Sequence, residues 1–158
     1  MNRYMGKEWW WITGSHELRD DMLGVLSDAD LEYSPGGSNL SLGELFRQMG
    51  EVEFSYLQGL KTFAQDWEYR NTEAALAGST SRLLGWFHEL DAELEEVVSG
   101  FTDDDLAKEV TRGSGFTMPV EMSLAVYVQA VLIFAGKAVV YLRAMDKPIP
   151  ASVEDWIW

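Results

Sequence analysis

The sequence contains no cysteine and only two histidines, His16 and His88. These shortages exclude a disulfide framework, a thiolate zinc site and a cysteine nucleophile. They also leave no Ser/His/Asp arrangement, because neither histidine accompanies a nucleophile motif. Basic residues are scarce: 12 Lys and Arg stand against 26 Asp and Glu, a net charge of −14. They are scattered along the chain, and such a field repels phosphate backbones, which excludes nucleic acid as a partner. The glycine-containing "SPGGSN" lacks the spacing of a phosphate-binding loop or a dinucleotide fingerprint. The N-terminal "MNRYMGKEWWW" has no apolar core with a small-residue cleavage site and is read as no secretory signal. Together with the absence of cysteine, this gives a cytoplasmic expectation.

What is present is apolar and aromatic. Of 158 residues, 47% are hydrophobic, and seven are tryptophan, enough for one continuous core in a single domain spanning residues 1–158. No stretch alternates long enough to predict a strand, whereas helical periodicity recurs throughout. The first helix is expected over Tyr4–Leu26. The second opens at the capping box "SLGE" (Ser41, Glu44) and carries Leu45, Met49, Val52, Tyr56, Leu60 and Phe63 at helical spacing. The third is expected from about Thr72 to Gly100. The fourth is expected from a Thr117 cap, with Pro119 in its first turn, to about Met145. "SLAVYVQAVLIFAGKAVVYL" has the length of a membrane span, but Gln129 and Lys137 interrupt it; it reads as the central helix of a bundle, and no membrane is implicated. The connections after helices one and three echo each other. "LSDADL" and "FTDDDL" each place Ser27 or Thr102 to cap a short extra turn. Two matching halves predict an all-α, pseudo-symmetric four-helix bundle. The tail, 146–158, with Trp156 and Trp158, is expected to pack back on the bundle or at an interface.

The order and spacing of "SLGELFRQMGEVE", "LSDADL" and "FAGKAVVYLRAMDKPIP" resemble the DinB/YfiT-like four-helix bundles over most of the chain. The resemblance implies up-down-down-up connectivity, frequent homodimers, and commonly a divalent metal held by three histidines, used by metal-dependent thiol transferases and related hydrolases. Such a site needs one imidazole from helix two and two from helix four, with a fourth position open. The three matching positions here are Gln48, Ala130 and Phe134. None is a histidine. Alanine offers no donor atom, and phenylalanine fills the space with a ring.

The resemblance therefore implies a degenerate metal site with no resident metal or other cofactor. The protein is then expected to act through small-molecule binding or assembly rather than catalysis. The alternative is a metal-dependent thiol transferase or hydrolase using a non-standard site, with a divalent metal held elsewhere. The pocket candidates are Gln48, Glu53, Gln129, Ala130, Phe134 and Lys137. Gln48 is expected to project inward and to pair with Gln129; Glu53 matches the acidic position that follows the first ligand. Lys137 is expected to neutralise Glu51 or Glu53. His16, near the edge of the Ile12–Arg19–Leu23 stripe, is a further candidate, and His88, beside Asp91, reads as a solvated surface residue. Of the adjacent Trp9, Trp10 and Trp11, at most two can face the bundle. An almost wholly apolar fourth helix predicts a homodimer.

Overall fold

The computed structural model describes residues 1–113 and 115–157, so Trp158 lies outside the described residues. Four long helices form the bundle: α2 (Trp9–Gly24), α3 (Leu42–Thr62), α4 (Thr80–Gly100) and α5 (Val120–Ala144). Short helices α1 (Arg3–Lys7) and α6 (Ala151–Ile157) flank them, and a two-stranded antiparallel ribbon, β1 (Glu109–Thr111) with β2 (Thr117–Pro119), precedes α5.

Side-chain contacts fix the helix directions. Gly50 meets Trp86 and Lys61 pairs with Glu93, so α3 and α4 run the same way. Tyr141, near the end of α5, donates to the Leu40 carbonyl ahead of α3 (2.9 Å), so these two are antiparallel. Arg3 pairs with Glu121, bringing the starts of α2 and α5 to one end. The result is the up-down-down-up order. Each helix buries one stripe, and Ile12, Met22, Phe46, Leu57, Phe87, Leu124 and Leu142 are among the core residues.

Local chemistry explains most boundaries. Ser41 accepts from Glu44 N (3.2 Å), the expected cap of α3. In the two echoing turns, the Asp30 carboxylate takes both the amide and the hydroxyl of Ser27, and Asp105 does the same for Thr102. Three expectations need correction. The first helix breaks at Glu8, because Asn2 anchors α1 to the end of α4 through Val98 O (2.7 Å) and Phe101 O (3.0 Å). The third long helix starts at Thr80, not Thr72. Residues before it pack over α3 instead: Tyr69 stacks on Phe54 at 3.8 Å, and Asn71 N donates to Glu51 (3.0 Å). Thr117 and Pro119 lie in β2, where Met118 pairs with Val110 in the core, and Pro119 directly precedes α5.

The tail packs back. Val153 of α6 is buried, Ser152 donates to Asp21 (2.5 Å), and Trp156 lies over Gly14 of α2. Helix α5 is long and apolar enough to cross a membrane, yet half of its most apolar window is buried inside the bundle.

Two glycines test the packing. A Cβ at Gly43 would lie 1.8 Å from the Ala77 carbonyl oxygen, and backbone cannot yield to it. Gly85, within α4, has open space around the same position. Gly43→Ala is therefore predicted to lower unfolding free energy by about 1–3 kcal/mol or more. Gly85→Ala should raise it by about 0.5–1 kcal/mol. Urea unfolding of both variants measures this, and equal effects would refute the close α3–loop approach.

Candidate functional site

The core of this bundle contains charge. Arg19 of α2 falls on the same stripe as Ile12 and Leu23 and is fully buried. Glu53 of α3 and Tyr127 of α5 are buried with it, His16 sits one turn earlier on α2, and Asp91 of α4 is half-buried. One residue or more from each of the four long helices meets here.

The guanidinium is surrounded by carboxylates. Its Nε donates to Asp20 Oδ1 (2.9 Å), Nη1 to Glu53 Oε2 (2.8 Å) and Asp91 Oδ1 (3.2 Å). Nη2 reaches Asp91 Oδ2 (2.6 Å) and Asp20 Oδ1 (2.9 Å). Four of these contacts are hydrogen bonds, and the fifth, Nη2 to Asp20, is an ion-pair contact. Phe87 lies under the plane, 4.2 Å from ring centroid to guanidinium carbon. Burial opposes the charge, but Glu53, Asp91 and Asp20 outweigh it and hold the group firmly protonated.

A second chain of bonds closes a ring on this fork. Asp91 Oδ1 contacts His16 Nδ1 (3.0 Å), His16 Nε2 contacts Tyr127 Oη (2.6 Å), and Tyr127 Oη contacts Glu53 Oε2 (3.0 Å). The hydroxyl has one proton and therefore donates in one direction only. That direction is toward Glu53 Oε2. Burial pushes the Glu53 carboxyl above its ordinary range, against the pull of Arg19 and His16. Burial would also raise Asp91, but hydrogen bonds from His16 and Arg19 outweigh it and leave this carboxyl below its usual value. Burial and the Glu53 charge keep Tyr127 a neutral phenol.

His16, Glu53 and Asp91 offer ligand atoms within 4.8 Å of one another, the spacing of a three-ligand metal site. The residues present nevertheless do not fit a divalent ion. Arg19 already uses Glu53 and both oxygens of Asp91, and an ion among them would face a guanidinium with no exposed route away. Two cations at that separation repel strongly in a low-dielectric site.

The ring is reached from an open groove of about 610 Å³ between α2 and α4, where His16 and Asp91 meet solvent. Its rim carries Glu17, Asp20, Asp21 and Glu95, with Trp9 at one side. His88 is exposed on this rim and pairs with Asp20 (2.8 Å), not with Asp91.

Of the residues singled out from sequence, Glu53 and His16 come together here. The others do not join them. Gln48 is exposed beside Trp67 and Arg70, and Gln129 is exposed on α5, so neither is a buried amide and they form no pair. The inward direction assigned to Gln48 was one step off the stripe of Leu45 and Met49. Phe134 is buried and Ala130 is partly so. Lys137 neutralises neither Glu51 nor Glu53; it is exposed, with its ammonium 4.8 Å from the Phe134 ring centroid, because Arg19 already serves Glu53 and Arg47 lies nearer Glu51. Arg19, Asp91 and Tyr127 were missed as a group, although an arginine within an apolar helix stripe is a visible signal.

The protonation pattern has a measurable consequence. Glu53 has a raised pKa in the fold, so its effect on stability is most favourable at low pH and is lost as pH rises from its ordinary 4.5 through the folded value. Asp91 has a lowered pKa and acts in reverse: its contribution is present above its ordinary 3.8 and is lost as pH falls through the depressed value. Glu53→Gln removes only the first effect. Relative to wild type, it is predicted to gain stability as pH rises from acid toward neutrality, with a slope of up to about 1.4 kcal/mol per pH unit. Urea unfolding across that range checks it; a pH-independent difference would place Glu53 as an ordinary ionised partner of Arg19.

No protein-family model and no curated protein matches the sequence. Among solved structures, the chain is similar to a DinB-like protein from Bacillus cereus. The two are 20% identical, with a TM-score of 0.74, and the likeness covers 88% of this chain and 91% of that one. At this identity the likeness speaks to architecture, and the chain has a DinB-like, all-α bundle fold.

Proposed function

We propose that this protein is a metal-independent member of its fold that works by binding a small molecule on the α2–α4 face, with Arg19 as the permanent cation of its core. The carrying observation is the set of four hydrogen bonds and one further ion-pair contact that buried Arg19 makes with Glu53, Asp91 and Asp20. A resident guanidinium supplies the positive charge that a divalent ion would bring, but offers neither a Lewis-acid centre nor an open coordination position. The groove above it is walled by carboxylates, which favours a positively charged ligand. Purified without a tag, the protein is expected to hold no stoichiometric transition metal, and chelator should leave its melting temperature unchanged. Arg19→Gln should free His16, Glu53 and Asp91 for zinc or cobalt and make the melting temperature rise with added metal. One tightly bound metal per wild-type chain would favour the thiol transferase or hydrolase alternative and overturn this reading.

The surface of α5 supports assembly as a second part of the proposal. Met122, Ile133 and Val140 lie on one outward face, each more than half exposed, and Gln129 and Gly136 share it. Glu121 is the only acid in the helix, so two copies can meet there without the like-charge repulsion that −14 per chain imposes elsewhere. A two-fold contact through this face is expected. Light scattering at micromolar concentration should give a dimer that Ile133→Glu dissociates; a wild-type monomer at high concentration and moderate salt would exclude it.

A further inference from the structure

The three consecutive tryptophans of α2 are only partly used by the core. Trp9 packs against it, whereas Trp10 and Trp11 are 54% and 43% exposed. Their rings stack, with centroids 3.9 Å apart. Trp156 of α6, 37% exposed, stands edge-on to Trp11 at 5.5 Å and 75°. The indoles thus form two walls of a corner set nearly at right angles. Thr13 and Gly14 also line this open groove of about 560 Å³.

Sequence and packing build this corner. The tail folds back through Val153 and Ser152, which brings Trp156 onto α2. Gly14 makes room for it: a Cβ there would lie 2.9 Å from Trp156 Cζ2. The indole N–H of Trp10 is already given to the Lys7 carbonyl (3.1 Å), so this ring offers its face rather than a donor.

Glu17 and Asp155 also line the groove, and no lysine or arginine does so among the described residues. Neither carboxylate has an ion-pair partner among the described residues, unlike Asp20 and Asp91 of the adjoining groove. Aromatic faces set at an angle, with unpaired negative charge beside them, are complementary to a cation whose hydration shell is weak. A primary ammonium keeps a tight shell of water and needs acceptors aimed at its N–H bonds, which indole faces do not supply. A methylated ammonium has no such requirement: its methyl groups bury against the rings, and its spread charge is attracted by them and by the two carboxylates.

We propose that the corner of Trp10, Trp11 and Trp156, with Glu17 and Asp155, binds a methylated ammonium group of a small organic cation. The assignment rests on the reading of the α2 face as a binding surface and names the chemical class it takes. Thr13 and Glu17 belong to both grooves, so a ligand anchored at the tryptophans extends toward the acidic rim above His16 and Asp91.

The test compares choline with 3,3-dimethylbutan-1-ol, its neutral isostere, by calorimetric titration of the full chain, with and without chelator. Choline should bind saturably at one site and at least about tenfold more tightly than the isostere, since the shapes match and only the charge differs. Trp11→Leu and Trp156→Leu keep apolar volume but remove the π-face, and each should weaken choline about tenfold. Gly14→Ala should act in the same direction by displacing Trp156. Melting curves verify that the variants fold, and the wild-type comparison stands without them. Equal binding of the isostere, no saturation by about 20 mM choline, or unchanged affinity in folded Trp156→Leu would each overturn the assignment. A chelator-sensitive metal would instead count against the Arg19 reading alone, because the tryptophan corner does not involve that cluster.

Discussion

Arg19 is the group around which the rest of this bundle is arranged. A buried guanidinium is unfavourable unless its charge and donors are met, and meeting them requires carboxylates from more than one direction. Asp20 comes from its own helix, Glu53 from α3 and Asp91 from α4. Tyr127 of α5 is joined to the same set through Glu53 and His16. The four long helices are therefore held in one mutual register by a polar cluster, in a core whose apolar contacts alone would tolerate small slips. The cost is desolvation of several charges, offset by their mutual attraction, so the cluster secures geometry more than it adds stability.

That arrangement also bears on chemistry. The DinB-like architecture brings side chains from different helices to one buried point, and such a point suits a metal when its residues are donors with an open position. Here His16, Glu53 and Asp91 have the separation for it, but the arginine stands among them. The site is thus polar and already occupied by a resident guanidinium. What remains accessible is the outer side of α2, where the acidic groove and the exposed indoles lie next to each other.

The bundle was legible because its signals are local and repeat: the Ser41–Glu44 capping box, the stripe through Leu45 and Leu60, the twin Ser27 and Thr102 turns. Boundaries failed where tertiary contacts outweighed local preference. Residues before Thr80 could continue a helix, but Tyr69 and Asn71 gain more by packing on α3. The ribbon of Val110 and Met118 is too short to show alternation. For the site, Glu53 and His16 were within reach of sequence reasoning, whereas the assembly around Arg19 was not, because it joins residues 72 positions apart. Gln48, at the position of the first family ligand, and Gln129, its expected partner, are both exposed amides. The arginine interrupting an apolar stripe was the stronger clue.

The central claim is that the core charge is balanced by a guanidinium in the place where a metal could otherwise sit. The most direct measurement is a crystal structure of the wild-type protein soaked in zinc, with anomalous data collected at the zinc edge. The account predicts continuous density for Arg19 between Glu53 and Asp91 and no anomalous peak within coordination distance of His16, Glu53 and Asp91. A full-occupancy peak ligated by those three residues, with Arg19 displaced, would contradict it.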